Sequence, residues 1–520
     1  MVSNPIELAL FASRLDAVCE EMGVVLRRAA VSPNIRDRLD FSCAVFDADG
    51  LLCAQAAHIP VHLGSMAYAM AGIVAAVDWA EGDMLVLNDP FLGGTHLPDV
   101  TLVAPLFVAG ELIGFLANRA HHADIGASTP GSMPLSTRLE DEGLVIAPTP
   151  LVRAGLLDED LLGRIVGATR NPRDARGDFL AQMSANRVGL ARLGALVAGM
   201  GNAAYRAALA ALNDYGERLA RAALSAIPPG RYRFEERMDD DGQGTVDIPL
   251  RVEISVRGSD VRVDFTGTAP QVPGNINCPL AVAAAAVLYV FRCLMPPQTP
   301  ACAGIFRPLQ LVAPVGCLLA AERPAAVAAG NVETSSRVVD LVMGALAQAI
   351  PERIPAASQG TMNNLALGSA LPGAAWDYYE TIGGGMGAGS VGGGWSGVQT
   401  HMTNTLNTPI EVLETRFPLR VRRYAIRRGS GGAGARAGGD GLIREFDFLA
   451  PAQATLLTER RRHAPWGSAG GEPGATGRNR LNGETLPGKI SLRVEAGDRL
   501  TVETPGGGGW GDASRTCRPS

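Results

Sequence analysis

The spacing of apolar residues changes several times along this chain, and these changes limit the folds that it can adopt. Residues 6–30 carry apolar side chains at helical spacing, and residues 177–227 do so again in two alanine- and leucine-rich stretches with a break near Gly199–Gly201. Residues 231–267 instead alternate apolar and polar side chains, which is the pattern of a half-buried strand. A chain that uses both periods predicts the α+β fold class.

Shorter segments extend this α+β pattern. The segment "FSCAVFDADGLLCAQ" predicts a hairpin with Asp49–Gly50 as its turn. The other segments with a clear period are two strand regions, 84–88 and 101–118 (the second with a turn at Gly110), and two helices, 280–294 and 336–350. Helices and strands are therefore expected along most of the chain.

The chain is 520 residues long, which exceeds the size of one ordinary hydrophobic core, so several domains are expected. The changes of pattern divide it into four regions. We predict a mixed α/β region with the candidate site (1–175), a helical segment (176–230), an α/β region (231–355) and a β-rich region with glycine-rich loops (356–520).

Glycine clusters mark the last region, as in "IGGGMGAGSVGGGWSG" and "TPGGGGWGD". Because glycine adopts positive φ angles and permits close backbone approach, we expect most of these glycines to form tight turns. No cluster forms G-x-G-x-x-G between a strand and a helix, so a dinucleotide-binding fold is not indicated.

The charged residues exclude two classes of function. The 52 acidic residues outnumber the 46 basic ones, and the net charge of -6 argues against a general nucleic-acid-binding protein. Lys489 is the only lysine. A Walker-type phosphate loop needs G-x-x-x-x-G-K-[ST], and the chain has no such motif. If the reaction uses ATP, we do not expect this chain to bind it in that way.

The cysteines and the apolar segments indicate the cellular compartment. No two cysteines form C-x-x-C, so free thiols in a reducing compartment are expected for Cys19, Cys43, Cys53, Cys278, Cys293, Cys302, Cys317 and Cys517. The N-terminus lacks the basic and apolar pattern of a secretory signal. Apolar runs such as "LAVAAAAVLYVF" are shorter than the roughly 18–20 residues of a membrane span. We expect a cytoplasmic protein without a membrane partner.

Three of the seven histidines fall within one short region, and each has an acidic residue within three positions. His96 and Asp99 bracket Leu97–Pro98, where the proline predicts a loop that can turn both side chains to one point. The candidate metal ligands of this region and the segment before it are Asp37, Asp40, Asp89, His96, Asp99, His121, His122 and Asp124. Imidazole and carboxylate groups together suit Zn²⁺, Mn²⁺ or Fe²⁺ better than Ca²⁺ or Mg²⁺. A purely structural role for these polar residues is the alternative.

A second histidine pair, His58 and His62, flanks Pro60 in "AAHIPVHLG". For this pair we favour the lining of a substrate cleft or a satisfied core position over metal ligation. Serine chemistry is not indicated, because the chain has no G-x-S-x-G motif.

Several long motifs occur along the chain, among them "SPNIRDRLDFSCAVFDADG", "LNDPFLGGTHLPDVTLV", "NRAHHADIGASTPGSMP", "GNVETSSRVVD" and "YYETIGGGMGAG". Together they resemble the hydantoinase B/oxoprolinase family, from residue 4 to about residue 513. The resemblance implies one subunit of an ATP-dependent hetero-oligomer, whose hydantoinase A-type partner has an actin-like ATPase fold and uses ATP and Mg²⁺. It also implies ring opening of hydantoins, 5-oxoproline or other lactams, whereas ketone carboxylases related to the family form C–C bonds.

The resemblance implies a metal site of four residues: Asp37, His96, Asp99 and His121. Many relatives have glutamate where this chain has Asp37, and the shorter side chain changes the reach of the carboxylate. Asp40, Asp89, His122 and Asp124 then become candidates that orient the ligands, with His122 or Asp124 as general base.

These expectations combine into one mechanistic hypothesis. A water activated by Zn²⁺, Mn²⁺ or Fe²⁺ would attack a cyclic amide that the partner subunit has phosphorylated. Two alternatives stay open at this point: a subunit of an ATP-dependent ketone carboxylase, and a non-catalytic scaffold that completes the partner's active site.

Overall fold

The computed structural model describes residues 4–56, 58–371 and 375–516. Its α-helices are α1 Pro5–Ala29, α2 Pro33–Arg36, α3 Pro60–Ala75, α4 Glu159–Gly167, α5 Pro172–Met200, α6 Asn202–Leu224, α7 Leu280–Cys293, α8 Ser335–Leu346 and α9 Ile410–Arg416. Its strands up to residue 264 are β1 Phe41–Asp47, β2 Leu52–Gln55, β3 Met84–Leu87, β4 Asp99–Val108, β5 Glu111–His121, β6 Thr149–Arg153, β7 Leu156–Leu157, β8 Gly230–Asp240, β9 Val246–Arg257 and β10 Asp260–Asp264. The later strands are β11 Leu309–Val312, β12 Asn364–Ser369, β13 Trp376–Glu380, β14 Leu419–Arg427, β15 Gly441–Phe448, β16 Ala452–Leu457, β17 Arg478–Leu481, β18 Glu484–Leu486, β19 Lys489–Val494 and β20 Arg499–Glu503. The predicted α+β class is confirmed.

A seven-stranded sheet forms the N-terminal part of the molecule, in the order β2-β1-β5-β4-β3-β6-β7. All its neighbouring strands are antiparallel. Helix α3 covers one face with buried side chains such as Met66 and Met70, and α1 and α5 cover the other. The sheet therefore lies between helices, and its two central strands, β4 and β5, are shielded from solvent.

The predicted hairpins of this sheet are confirmed. β4 and β5 are joined at Ala109–Gly110, and both residues have positive φ angles of 54° and 77°. This is the two-residue turn whose twist matches that of the flanking strands.

Helix α1 also forms as predicted, with Pro5 at its start and Asn4 accepting a hydrogen bond from the Ile6 backbone N–H (3.0 Å). Helix α3 was not predicted.

Helices α5 and α6 are separated at Gly201, where φ is 82°. The predicted break is thus confirmed, because glycine is the residue that adopts this left-handed conformation without strain. Within the described residues, no single helix is both long and apolar enough to cross a membrane. Only α5 and α6 taken together meet the requirements of length and composition, and they are bent by 103° relative to each other.

A four-stranded sheet, β11-β10-β9-β8, packs its apolar face against α7 and α8. The predicted helix at 336–350 corresponds to α8, which ends earlier, at Leu346. A single π-helical turn, Gly330–Thr334, leads into it. Such wide turns interrupt regular helices mostly at functional sites. Two more sheets, β13-β12-β16-β19 and β14-β15-β20-β17-β18, share a further core.

Glycines of the C-terminal region pack backbone against backbone; we call this set the glycine lattice. It comprises Gly385, Gly387, Gly394, Gly431, Gly432, Gly438, Gly439, Gly467, Gly471 and Gly506–Gly509. At each of them an added Cβ would collide with a carbonyl oxygen of a neighbouring segment, and none has a positive φ. The prediction that most of these glycines form turns is therefore wrong. They are needed because the chain segments approach too closely for any side chain.

Candidate metal centre

His96 lies in a loop that several polar groups fix before β4 begins. The Asn88 side chain donates hydrogen bonds to the backbone carbonyls of Leu97 (2.8 Å) and Leu144 (2.9 Å). The buried Arg119 donates to the carbonyl of Gly93 (2.9 Å), the residue that ends a short 3₁₀ turn in a left-handed conformation. The loop conformation predicted from Pro98 is confirmed, and it is held on both sides of His96.

The β4–β5 hairpin brings the other two side chains together. Asp99 is the first residue of β4 and pairs directly with His121, the last residue of β5. A regular register from the turn would place Ala120 opposite Asp99, but a β-bulge near Leu106 and Phe107 shifts the pairing by one residue. Such bulges re-aim side chains next to functional sites.

His96, Asp99 and His121 form a compact cluster, and the atoms that each could offer to a metal ion lie within 4.8 Å of one another. Asp99 Oδ1 is 3.0 Å from His96 Nε2 and 3.1 Å from His121 Nδ1. The relative exposure of the three residues is 0%, 0% and 3%. Ligand atoms bound at about 2.0–2.1 Å around a tetrahedral Zn²⁺ are roughly 3.3 Å apart, so the 3.0 Å between Asp99 Oδ1 and His96 Nε2 fits two ligands of one ion. His121 Nδ1 is paired with Asp99, which leaves Nε2 as the free nitrogen of the His121 ring.

The second carboxylate oxygen of Asp99 is held in place. Thr95 Oγ1 donates to Oδ2 (2.7 Å), and Asn331 Nδ2 donates to it from the π-helical turn (3.2 Å). His62 Nε2 lies 3.2 Å from the same oxygen. Because Oδ2 has these partners, Oδ1 is the oxygen that faces the two imidazole rings. His62 thus borders the cluster and belongs to the polar surroundings of Asp99.

Two ring nitrogens of the cluster form no hydrogen bond, although one of them, His96 Nε2, lies 3.0 Å from Asp99 Oδ1. Nε2 of His96 and Nε2 of His121 are buried, and neither has a hydrogen-bond partner among the residues that the structure describes. A buried polar atom without a partner is costly and needs an explanation, such as an ion. Two free imidazole nitrogens and one carboxylate oxygen form a nitrogen/oxygen donor set that fits Zn²⁺, Mn²⁺ or Fe²⁺.

The ionisation of Asp99 and His121 favours metal binding, whereas that of His96 does not. Burial lowers the pKa of His96, but the neighbouring Asp99 outweighs this effect and raises it. Burial raises the pKa of Asp99, but the neighbouring His96 and His62 outweigh this effect and hold it well below its usual range. Burial lowers the pKa of His121, and this effect prevails over its hydrogen bond to Asp99. At neutral pH Asp99 is therefore an anion and the His121 ring is neutral, which are the forms that bind metal ions.

Aromatic and cationic groups close the cluster on the side of β13. The ring of Tyr379 stacks on the ring of His121, with centroids 4.7 Å apart and planes at 13°. The guanidinium of Arg38 lies 5.0 Å from the centre of the Tyr379 ring. Neither Tyr379 nor Asn331 was identified as a site residue from the sequence. Their motifs, "YYETIGGGMGAG" and "GNVETSSRVVD", were the available signal.

Asp37 does not join the cluster. Its carboxylate accepts two hydrogen bonds from the Arg36 guanidinium, at 2.9 and 3.1 Å. Asp40 is nearer: its Oδ1 lies 3.9 Å from His62 Nε2, and its backbone carbonyl accepts a hydrogen bond from the His121 N–H (3.0 Å). The structure thus brings together three of the four predicted ligands.

The other predicted site residues lie outside the cluster. His122 follows His121 in the chain and contacts Gln182 (2.9 Å from Nε2 to Oε1). Asp124 accepts hydrogen bonds from Ser132 Oγ (3.0 Å) and from the Arg170 backbone N–H (2.6 Å). Asp89 caps the 3₁₀ turn and forms an ion pair with Arg323. His58 accepts a hydrogen bond from the Cys43 N–H (3.2 Å), which is a satisfied core position.

Comparisons with known proteins agree with this architecture. The family model for hydantoinase B/oxoprolinase matches residues 4–513. The chain is 39% identical to 5-oxoprolinase 1 of Arabidopsis thaliana, over 98% of this chain but only 42% of that protein. It is 32% identical to a protein of a Pseudomonas species that is named as the B-type subunit of a D-/L-hydantoinase, over 98% of this chain and 90% of that protein. The chain therefore spans less than half of one curated relative and nearly all of the other.

Two solved structures have the same fold. The ATP-dependent caprolactamase from Pseudomonas jessenii matches with a TM-score of 0.91 and 29% identity, over 100% of this chain and 93% of that one. An acetone carboxylase matches with a TM-score of 0.88 over 98% of this chain and 76% of that one; at 20% identity this likeness shows the fold alone. The family match over nearly the whole chain shows that the protein belongs to the hydantoinase B/oxoprolinase family.

Proposed function

We propose that this chain is the metal-dependent subunit of an ATP-dependent cyclic-amide hydrolase that opens a hydantoin, 5-oxoproline or another lactam. The observation that carries the proposal is the buried cluster of His96, Asp99 and His121 with its two unpartnered ring nitrogens. The names of the relatives support the substrate class, because 5-oxoproline, hydantoin and caprolactam are all cyclic amides.

The chemistry explains why such an enzyme needs both ATP and an activated water. An amide carbonyl is a poor electrophile, and phosphorylation of its oxygen gives an imidate phosphate that water attacks readily. When bound, a divalent ion such as Zn²⁺, Mn²⁺ or Fe²⁺ supplies a water whose pKa is lowered toward neutrality. The residues of this chain provide the anionic Asp99 and the neutral His121, while Thr95, His62 and Asn331 hold the Asp99 carboxylate in one orientation.

We assign the nucleotide to a partner, a hydantoinase A-type ATPase subunit that would bind ATP and Mg²⁺ in a hetero-oligomer. The only lysine of this chain, Lys489, has a fully buried side chain, and its Nζ lies 2.5 Å from Glu459 Oε1. It is therefore not free to bind a phosphate. The Pseudomonas relative is named as one subunit of a hydantoinase, which supports a division of labour between two chains.

Asp37 is proposed as the fourth ligand. The family motif places an acidic residue at this position, and the Asp37 side chain is only 16% exposed. To reach the ion, its carboxylate would have to exchange Arg36 for the metal. An ion pair with a partly exposed arginine is weak enough to be exchanged in this way, because such pairs contribute about 0–1 kcal/mol.

Metal analysis of the purified chain tests the proposal. We expect about one equivalent of Zn, Mn or Fe in the wild type, none in His96→Ala, and at least a tenfold weaker affinity in Asp37→Ala. His463→Ala is a matched control, since His463 pairs with Asp247 outside the cluster (2.8 Å) and should leave the metal content unchanged. A wild-type chain without metal after supplementation contradicts the metal centre, and full affinity in Asp37→Ala contradicts only the fourth ligand.

Reconstitution with the ATPase partner then tests the reaction. We expect ATP-dependent opening of one member of a hydantoin and lactam panel, and its loss in His96→Ala. A product formed only with bicarbonate would favour the carboxylase alternative, since an acetone carboxylase has the same fold. Full activity of the metal-free His96→Ala variant would favour the scaffold alternative.

A further inference from the structure

Glu142 is a buried carboxylate outside the predicted set of site residues. It ends the short 3₁₀ turn Leu139–Glu142, and its relative exposure is 0%. One oxygen, Oε1, accepts three hydrogen bonds, from Ser136 Oγ (2.8 Å) and from the backbone N–H groups of Val327 (2.8 Å) and Ala328 (2.9 Å). The carboxylate therefore binds the N–H groups of two consecutive residues, Val327 and Ala328, in a segment far away in the sequence.

The segment that contains Val327 and Ala328 contacts the cluster of His96, Asp99 and His121 directly. The carbonyl oxygen of Ala328 lies 3.2 Å from His96 Nδ1. A carbonyl oxygen can only accept, so this contact places the ring proton on Nδ1 and leaves the lone pair on Nε2. Nε2 is the atom that lies 3.0 Å from Asp99 Oδ1 and has no hydrogen-bond partner in the described part of the chain.

The segment around Ala328 needs an external anchor. Residues 325–330 read "AAVAAG", and they offer no polar side chain that could bind their own backbone. The segment forms no helix or strand until the π-helical turn begins at Gly330. The backbone carbonyl of Asn275 holds the end of this segment, because it accepts hydrogen bonds from the N–H groups of Ala329 (3.0 Å) and Gly330 (3.1 Å). Val327 and Ala328 depend on Glu142 instead.

Holding two backbone N–H groups with a buried carboxylate costs free energy, because burial disfavours the charged form. Burial raises the pKa of Glu142 to about 7, and the hydrogen bonds from Ala328, Ser136 and Val327 offset only part of this rise. Its second oxygen, Oε2, is buried and has no hydrogen-bond partner among the described residues. A neutral side chain could tie the loop without burying an acid. Acids kept in such surroundings occur most often where they support a functional site.

We propose that Glu142 is a positioning residue of the metal centre. Through the amides of Val327 and Ala328 it holds the Ala328 carbonyl where that oxygen accepts the Nδ1 proton of His96, and so presents the bare Nε2 of His96 to the ion. Outer groups of this kind fix the tautomer and the orientation of a metal-binding histidine. The inference rests on the proposed metal centre and adds to it a residue that never contacts the ion.

Three variants and one control test this role. Glu142→Ala removes the acceptor, whereas Glu142→Gln keeps an oxygen that the two amides can still use. Glu142→Asp keeps the charge but withdraws it by one methylene, and it replaces Glu142→Ala if that variant does not fold. The control is Asp83→Ala, since Asp83 is also a buried carboxylate that accepts two backbone amides, from Ala80 (3.1 Å) and Ala154 (2.9 Å), away from the cluster.

The first readout is metal affinity, measured by competition with a chelator on the full chain. We expect Glu142→Ala and Glu142→Asp to bind the metal at least tenfold more weakly, and Glu142→Gln to stay within about threefold of the wild type. Asp83→Ala should lower the melting temperature without changing the affinity. Wild-type affinity in Glu142→Ala overturns the inference.

The second readout does not require metal. In ¹⁵N-histidine-labelled, metal-free chain, the His96 signal should show a protonated Nδ1 in the wild type and in Glu142→Gln, and a mixture of tautomers in Glu142→Ala. If the wild type binds no metal at all, the proposed function fails, while this spectrum still decides whether Glu142 controls the ring. An unchanged His96 signal in Glu142→Ala overturns the inference even if metal binds.

Discussion

The two oxygens of Asp99 lie in different surroundings, and the difference decides what this residue can do. Oδ2 accepts hydrogen bonds from Thr95 and Asn331, while Oδ1 faces the rings of His96 and His121. A carboxylate held on one side in this way cannot rotate freely. It would offer a single oxygen to the proposed ion, which would lie between two histidines that approach from a loop and from a strand end.

We predict that His122 contributes to stability, and its role as a general base stays a prediction that the same variant tests. It is buried, its Nε2 contacts Gln182 (2.9 Å), and its ring packs on Phe179 with centroids 4.5 Å apart. We expect His122→Ala to lower the free energy of unfolding by about 2–4 kcal/mol while the metal content stays unchanged. Denaturant unfolding and metal analysis of the same sample check this. A kcat about 100-fold lower at wild-type stability would instead support the general-base prediction.

Asp377 on β13 should make the protein less stable as the pH rises. Burial raises its pKa to about 7, and the nearby Asp124 adds to this rise. A carboxyl group whose pKa is raised on folding stabilises the folded state below its unfolded pKa near 4, and this contribution is lost as the pH rises through about 7. Because asparagine does not ionise, Asp377→Asn should stabilise the protein by about 1–3 kcal/mol more at pH 8 than at pH 5.

Urea unfolding at the two pH values checks the Asp377 prediction. The matched control is Asp78→Asn, because Asp78 is an exposed residue after α3, where a substitution changes the free energy of unfolding by about 0.5 kcal/mol or less. An equal effect of Asp377→Asn at both pH values would contradict the pKa shift. The variant would then act only through packing.

Among the structural elements, the glycine lattice should be the least tolerant of substitution. An added Cβ at Gly507 would collide with the carbonyl oxygen of Met386, and neither backbone can move without disturbing the other segments. We expect Gly507→Ala to lower the free energy of unfolding by about 3 kcal/mol or more. Gly392 belongs to the same glycine-rich region but has open space around it, so Gly392→Ala should be neutral or slightly stabilising. Thermal unfolding of the two variants separates packing from chain flexibility, and equal melting temperatures would contradict the lattice.

The sequence predicts the elements of this fold better than it predicts how they meet. Apolar periods and turn residues correctly indicated α1, the break at Gly201, the β4–β5 hairpin and the β-rich C-terminal region. The bulge that pairs Asp99 with His121 leaves no trace in the pattern, because β4 and β5 are buried on both faces and their sequences do not alternate between apolar and polar residues. The glycine clusters misled the prediction, because a glycine required for a turn and one required for close packing look alike in the sequence.

The candidate site shows the same limit. His96, Asp99 and His121 could be predicted, because their spacing and their family motif lie within one short region. The contacts of Glu142 with Val327 and Ala328, and of Asn331 with Asp99, join residues 185 to 232 positions apart. No local pattern records such contacts. They follow from the packing of residues 327–331 against the 3₁₀ turn that ends at Glu142 and against the start of β4.

At the scale of the whole molecule, the proposed metal centre depends on parts of the chain that are far apart in sequence. The three clustered residues come from the first of the four predicted regions, Ala328 and Asn331 from the third, and Tyr379 from the fourth. The division into four domains stays a prediction. The centre itself requires the packing of these regions, so its metal affinity should report on the integrity of the entire chain.

The burial of Lys489 has a consequence for how this protein can be handled and observed. Its ammonium group is enclosed with Glu459, and no other lysine exists in the chain. An acylating reagent added to the native protein should therefore modify no lysine, and the modification should appear only as fast as the structure opens. Mass spectrometry of Lys489 over time would measure the rate of that opening. An amine-reactive cross-linker, for the same reason, should form no cross-link to a partner through Lys489 of the folded chain.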